Sequence, residues 1–274
     1  MSNYYIAKND IYDKNGILLI RKGQKVTNAQ IAKLKKLESY KPDELVGTDD
    51  LRGFTLNPIA KAFGRRMKIL DYRILEKSNN ILSSIIFDSK TKPWWIYINA
   101  LSNYIDWLYT HSIDVAMISL LMAEEIGYDD NELFYIGLGA LLHDVGKLLI
   151  PKSIIQKPGP LTDTEMTYIR QHCELGMSSL EPFNLPKECT DIILHHHERL
   201  DGSGYPSGLK DEAIILNVRI VMIADAVDAI TAGRPYKKSK EMDAAIKILR
   251  NEKEKYPQAL ITLLDKILNK GHTA

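Results

Sequence analysis

His143 and the aspartate that follows it, Asp144, are the side chains of this sequence best suited to chemistry. Adjacent imidazole and carboxylate groups can bind one metal ion, or the carboxylate can bridge two ions, if other elements supply the remaining ligands. Lys147 follows one helical turn after His143. The dipeptide alone is weak evidence, because most His-Asp pairs are surface features or helix caps.

Other residues of ligand type recur on segments with helical periodicity: His111, His172, His196, His197 and Asp225. Asp225 lies in the apolar run 218–230, where an unpaired carboxylate would be costly to bury. A lone histidine on an apolar face is more often a core residue than a ligand, but a set on several helices favours a metal site. Imidazole and carboxylate without thiolate favour iron, manganese or zinc over calcium. A pair of such ions could hold a bridging hydroxide for attack on a phosphodiester.

Composition excludes several classes of protein. The chain has 36 Lys and Arg against 35 Asp and Glu, so no overall positive field attracts nucleic acid or anionic lipid. Apolar stretches such as 136–142 are far shorter than the roughly 20 residues that span a bilayer, and the first residues lack the pattern of a secretory signal. We therefore expect a cytoplasmic protein without membrane insertion. Cys173 and Cys189 are expected to be packing thiols.

Residues 1–92 are predicted to form a small α+β domain. The pair Asn15-Gly16 is typical of a hairpin turn, and a strand is predicted over 17–20. Thr27, with Gln30 three residues later, predicts the start of a helix. A long helix is predicted over 70–87.

Two basic clusters of this domain carry no catalytic pattern. The lysines of 33–36 and the cluster Arg65, Arg66 and Lys68 are interpreted as solvated surface, with a docking surface as the alternative. Nucleic-acid binding by the lysine-rich helix is a further alternative, and it would show a steep salt dependence. The domain is expected to be regulatory, through a homodimer contact or a signalling partner.

Residues 93–274 are predicted to form one all-α domain. A polar stretch ending at Pro93 marks the boundary. Apolar residues then recur at helical spacing over 94–126, 131–148, 163–181, 187–197, 214–231 and 241–269. Thr162 and Glu165 predict a capping box at the start of one of these helices. The fold class is therefore mainly α, with a helical bundle after a small α+β domain.

Two motifs make a family recognisable. The segment His143-Asp144-Val-Gly-Lys147, together with 196–206 (HHERLDGSGYP), resembles the HD-GYP family, bacterial phosphodiesterases of cyclic di-GMP within the HD hydrolase superfamily. The resemblance covers residues 95–270. It includes further matches in the family's order: His111-Ser112, the loop 157–162, His172, Gly208-Leu209, the run 225–229 and Arg234-Pro-Tyr236-Lys237.

The resemblance implies an HD-type helical bundle with a binuclear metal centre. His111, His143, Asp144 and Asp225 would bind one divalent ion, and Asp144 would bridge to a second ion completed by His172, His196 and His197. Iron or manganese is favoured, with zinc, nickel and magnesium as alternatives. Asp144 and Lys147 are the implied catalytic residues. The implied substrate contacts are Lys147, Tyr205, Arg234, Tyr236 and Lys237.

Some positions are set aside or depart from the family. His195 is predicted to point about 100° away from His196 and is not expected to be a ligand. His272 lies in the C-terminal tail. Some family members bind a third metal through a glutamate where this chain has Trp107, so two ions are predicted. Leu200 and Ile215 replace the family's usual tryptophan and proline and predict a different substrate rim.

The implied function is metal-dependent hydrolysis of cyclic di-GMP to linear pGpG, continuing in some members to GMP, by an activated hydroxide. Three alternatives remain open. One is a phosphodiesterase for another cyclic dinucleotide, such as cyclic GMP-AMP. The second is a catalytically inactive or slow receptor for the nucleotide, which the intact ligand set disfavours. Nucleic-acid binding, as above, is the third.

Overall fold

In a computed structural model the described residues are 4–7, 11–12, 18–20, 23–27, 30–31, 45–47, 63–64, 66–67, 69, 72–232 and 239–269. The predicted contacts Arg234, Tyr236 and Lys237 lie outside them, as do most of the lysine-rich helix, the hairpin turn at Asn15-Gly16, and His272.

Short strands form the N-terminal part. They are β1 (Tyr4–Ala7), β2 (Ile11–Tyr12), β3 (Leu18–Ile20), β4 (Lys25–Thr27) and β5 (Leu45–Gly47). Strand β1 lies between β4 and β5 in an antiparallel sheet, and β2 pairs with β3, with Ile11 opposite Ile20. The strands flanking the predicted hairpin turn therefore pair as a hairpin would require.

The predicted helix start at Thr27 is confirmed. The Gln30 backbone N–H donates to Thr27 Oγ1 at 3.2 Å, and the Thr27 N–H donates to Gln30 Oε1 at 2.8 Å. These reciprocal bonds satisfy two backbone donors that the first helical turn leaves unpaired.

Helices make up most of the described chain. They are α1 (Tyr72–Ser89), α2 (Trp95–Tyr104), α3 (Asp106–Ile126), α4 (Asp130–Leu142), α5 (Lys152–Ile155), α6 (Asp163–Arg170), α7 (His172–Leu180), α8 (Lys187–His195), α9 (Leu216–Thr231), α10 (Met242–Asn251) and α11 (Gln258–Asn269). A 3₁₀ turn, Val145–Leu149, follows α4. This confirms the predicted mainly α fold.

The apolar pattern predicted longer helices in three places. The segment 94–126 is divided at Ile105, whose extended backbone (φ −147°, ψ 120°) separates α2 from α3. The segment 163–181 is divided at Gln171, which lies between α6 and α7. The segment 241–269 is divided between Asn251, where α10 ends, and Pro257, which directly precedes α11. The apolar pattern continues on either side of these breaks, so the pattern alone does not mark them.

The core of the bundle consists of helices that are buried on nearly all sides. Residues 114–123 of α3, 136–146 after the start of α4, and 220–228 of α9 are all buried. Segments of these helices with no solvated face are packed inside the bundle. His111 and Asp225 lie on α3 and α9, and His143 and Asp144 directly follow α4. Among the described helices, none has both the length and the apolar composition to cross a bilayer.

Helix α1 contacts both parts of the chain. Leu75, Leu82 and Ile85 belong to the core of the bundle, whereas Phe87 packs with Ile11, Val26 and other strand residues. The domain boundary at residues 92 and 93 stays a prediction.

Candidate metal centre

The sequence-predicted ligands come from separate elements that converge at the centre of the bundle. His111 lies on α3, His143 and Asp144 directly follow α4, His172 begins α7, His196 and His197 follow α8, and Asp225 lies on α9. All but His197, which is half-buried, are buried.

These residues form two groups that could each bind a metal ion. One ligand atom from each of His111, His143 and Asp225 lies within 4.8 Å of the others. Within this group, His111 Nε2 is 3.1 Å from Asp225 Oδ1. We call it the His111 cluster.

The second group joins Asp144 to His172, His196 and His197, again with ligand atoms within 4.8 Å of one another. The Nε2 atoms of His172 and His196 are 3.2 Å apart. We call this group the His172 cluster.

Asp144 lies between the two clusters and faces both. Its Oδ2 is 3.5 Å from His111 Nε2 and 3.4 Å from His143 Nε2. Its Oδ1 is 3.3 Å from His172 Nε2 and 3.9 Å from His196 Nε2. The two carboxylate oxygens thus point towards different histidine sets, which is the arrangement that a bridging ligand requires.

Backbone carbonyls orient three of the imidazoles. The Nδ1–H groups of His143 and His172 donate to the carbonyl oxygens of Ala140 (2.7 Å) and Ile169 (2.6 Å). His196 Nδ1 lies 3.1 Å from the Ile192 and Ile193 carbonyls. Since a carbonyl can only accept, each ring carries its proton on Nδ1 and presents Nε2 to the centre.

Several of these buried atoms have no hydrogen-bond partner among the described residues: His111 Nε2, His143 Nε2 and Asp144 Oδ1. Unpaired buried polar atoms are costly, and native proteins rarely leave them without a ligand or water. The donor set of histidine and aspartate, with its unpaired atoms facing inward, fits divalent metal ions.

Protonation of the His172 cluster in the metal-free protein favours this use. Burial, followed by the positive charge of Lys147, lowers the pKa of His172 to about 4. Burial also holds the pKa values of His196 and His197 well below the ordinary histidine value. Burial opposes the charge on Asp144 too, but Lys147 and His143 outweigh it and keep its pKa low. At neutral pH these imidazoles are neutral and the carboxylate is charged, as metal ligands must be.

Lys147 lies on the 3₁₀ turn and reaches into the centre. Its Nζ is 2.6 Å from Asp144 Oδ2, and its side chain is mostly buried. An ammonium at this position lies beside both clusters.

Gly146 allows the 3₁₀ turn to pack directly on α7. A Cβ at this position would clash with the carbonyl oxygen of His172 and approach the Gly176 nitrogen to 2.6 Å. Only glycine permits this backbone contact, which places Asp144 beside His172.

Glu198 is a residue whose role the sequence did not reveal. Its buried carboxylate accepts from the backbone N–H groups of Ser207 (2.7 Å) and Leu209 (3.0 Å). Gly204 packs against the Glu198 backbone so closely that a Cβ would overlap it. The loop of the second motif is therefore fixed next to His197. A charged residue directly after two ligands is the signal that could have identified it.

The same loop places Tyr205 against the centre. Its ring stacks on the His197 ring with centroids 4.7 Å apart, and Arg170 Cζ lies 5.3 Å from the centroid of the Tyr205 ring.

His195, which was not expected to be a ligand, belongs to neither cluster. Its Nδ1 lies 3.7 Å from Glu198 Oε1. Trp107 lies one turn before His111 on α3 and offers no carboxylate there.

Asp228 and Arg66 are further residues that sequence reasoning did not assign to the site. Asp228 Oδ2 accepts from His111 Nδ1 at 2.6 Å. Arg66 Nη2 lies 2.8 Å from both Asp228 Oδ1 and Asp114 Oδ2. The interpretation of Arg66 as solvated surface is therefore wrong, because the guanidinium is held between two buried carboxylates. A second carboxylate in the apolar run of α9 was the available signal for Asp228; Arg66 had none.

The predicted thiols are confirmed. Cys173 and Cys189 are buried and form no disulfide.

Residues 96–260 match the HD domain family, so the chain belongs to that family. This confirms the family prediction made from the motifs. The match contains both clusters and begins after α1.

Curated relatives resemble the same part of the chain. The cyclic di-GMP phosphodiesterase response regulator RpfG of Xanthomonas campestris is 45% identical over 131 residues, 47% of this chain and 35% of its own length. The 3'3'-cGAMP-specific phosphodiesterase 1 of Vibrio cholerae is 34% identical over 187 residues, 66% of this chain and 43% of its own. The chain thus spans less than half the length of these relatives.

One solved structure is similar in fold over nearly the whole chain. Bd1817, an HDG"Y"P protein from Bdellovibrio bacteriovorus, superposes with a TM-score of 0.56 at 17% identity, covering 96% of this chain and 95% of that chain.

Proposed function

We propose that this protein is a metal-dependent phosphodiesterase that hydrolyses cyclic di-GMP to linear pGpG. The observation that carries the proposal is Asp144, whose two oxygens face two histidine clusters, one of them with the unpaired inward nitrogens of His111 and His143. The 45% sequence identity with RpfG over 131 residues supports cyclic di-GMP as the substrate.

The proposed centre holds two divalent ions, iron or manganese. His111, His143, Asp144 and Asp225 would bind one ion, and Asp144, His172, His196 and His197 the other. Bound ions would supply Lewis acidity and lower the pKa of water to near neutrality. They would also add local positive charge to a near-neutral chain, where an anionic nucleotide must bind.

The chain's own residues would bind and orient the phosphate. Lys147 places an ammonium beside Asp144, where it can neutralise charge on the scissile phosphate and donate a proton to the leaving oxygen. Tyr205, stacked on His197, forms a wall beside the His172 cluster. Arg234, Tyr236 and Lys237 remain proposed nucleotide contacts.

Cyclic GMP-AMP is a second candidate substrate. The observation that favours it is the resemblance to the Vibrio cholerae enzyme, which covers more of this chain than the RpfG match does. The metal ligands define phosphodiester chemistry and do not select between bases.

The test is chromatography of each cyclic dinucleotide after incubation with protein loaded with Mn²⁺ or, anaerobically, with Fe²⁺. We expect linear dinucleotide from cyclic di-GMP. Nucleotide that is bound but returned unchanged would identify a receptor, and hydrolysis of cyclic GMP-AMP alone would transfer the proposal to that substrate.

A further inference from the structure

Arg66 connects a segment outside the HD domain match to the metal centre. It precedes α1, whereas the match begins at residue 96. Its Nη2 is 2.8 Å from Asp114 Oδ2 on α3 and 2.8 Å from Asp228 Oδ1 on α9. One guanidinium therefore joins two central helices of the bundle.

The two carboxylates need this cation. Asp114 and Asp228 have side chains that are 8% and 0% exposed, and like charges buried together are costly without a counter-ion. Burial raises the pKa of Asp114 to about 7 even though Arg66 opposes the shift. Phe63 packs against the guanidinium at 5.8 Å and lies in the bundle core, which holds the segment in place.

Asp228 links Arg66 to His111, which is a proposed metal ligand. Its other oxygen accepts from His111 Nδ1 at 2.6 Å. A carboxylate bonded to the outer nitrogen of a metal-binding imidazole fixes the ring and its tautomer, and losing such a partner typically lowers metal affinity by about 10–100-fold.

We propose that Arg66 is a positioning residue for the metal centre: by pairing with Asp228 it holds His111 in the orientation that binds the ion. The N-terminal part of the chain thereby sets the metal affinity of the His111 cluster. This inference rests on the proposed metal centre but not on any substrate.

The test compares Mn²⁺ binding by calorimetry in full-length, metal-free protein without nucleotide. Arg66→Gln is expected to weaken one of the two sites by about 10–100-fold and leave the other unchanged. Arg66→Lys should weaken it less, because lysine keeps the positive charge that pairs with the two carboxylates but not the shape of the guanidinium. Arg250→Gln is the matched control, since Arg250 forms an exposed pair with Asp265 at 2.7 Å and should bind as wild type.

A double-mutant cycle tests whether Arg66 acts through Asp228. In an Asp228→Asn background, Arg66→Gln should have little further effect on Mn²⁺ affinity. Fully additive effects, unchanged affinity in Arg66→Gln, or equal weakening of both sites with a lower Tm would each overturn the proposal. If Arg66→Gln does not fold, the Mn²⁺ affinity of Arg66→Lys is the deciding measurement. Wild-type affinity in Arg66→Lys would then overturn the proposal.

The outcomes separate this inference from the proposed function. Site-selective weakening in a protein that hydrolyses no cyclic dinucleotide would support the role of Arg66 and remove the proposed substrate. Wild-type protein that binds no Mn²⁺ would overturn both.

Discussion

At the scale of single residues, Asp144 is shared by both clusters. Its oxygens lie 3.3–3.5 Å from the nearest imidazole nitrogens on each side. The His-Asp dipeptide identified this residue in the sequence. The division of its two oxygens between clusters depends on the packing of α3, α4 and α7, which no local pattern describes.

Replacing Asp144 by asparagine should empty the centre. Asp144→Asn preserves shape but removes the charge and one oxygen ligand, so metal content is expected to fall from about two ions per chain to near zero, measured by elemental analysis. Phosphodiesterase activity should fall by at least about 100-fold, which is more than is lost when a residue that only hydrogen-bonds to a metal ligand is replaced. Asp191→Asn, which alters a pair with Lys187 on the surface, is the control. Full metal content in Asp144→Asn would refute its bridging role.

His111 predicts a pH dependence in the metal-free protein. Burial opposes the imidazolium, but the nearby carboxylates of Asp225 and Asp228 outweigh it and raise the pKa of His111 from 6.5 to about 9. A pKa raised by folding contributes stability that is complete below about pH 6.5 and is lost as pH rises through about 9. The Tm advantage of wild type over His111→Asn, measured with chelator present, should therefore narrow from pH 6.5 to 9. A constant or widening difference would contradict this charge assignment.

The residues missed in the sequence share one property. Arg66, Asp228 and Glu198 act through partners distant in the chain or through backbone groups of a loop. A charged residue in sequence looks the same whether it is solvated or buried against a partner, so only the fold reveals these contacts.

At the scale of elements, local signals predicted the starts of helices well. The capping box of Thr162 and Glu165 is present, as is the reciprocal bond of Thr27 and Gln30. Helix interruptions were not predicted, because the apolar spacing continues through Ile105. The contact between Gly146 and α7 was also invisible, since it depends on two backbones meeting.

Gly146→Ala should disturb that contact. The added methyl group would overlap the His172 carbonyl, and overpacking of this kind costs about 1–3 kcal/mol. We expect Tm to fall by several degrees and Mn²⁺ affinity of the His172 cluster to weaken, measured by thermal unfolding and calorimetry. Gly137→Ala is the matched control, because its methyl group would meet only the movable side-chain ends of Ile85 and Leu120. Equal Tm values for wild type and Gly146→Ala would contradict the packing argument.

At the scale of the whole molecule, helix α1 joins the β-containing part to the bundle. Its residues enter both hydrophobic cores, and Arg66, just ahead of it, reaches Asp228. Composition and periodicity were sufficient to predict a helical bundle preceded by an α+β unit. They could not predict this connection, because the boundary signal at Pro93 lies in a loop while the contacts lie on either side of it.

The most direct test of the account is a titration of metal-free protein with Mn²⁺ while the conversion of cyclic di-GMP to linear pGpG is followed by chromatography. We predict no conversion without metal, and activity that rises to a plateau at about two ions per chain. Full activity after complete chelation, or no linear product at any ratio of metal to protein, would contradict it.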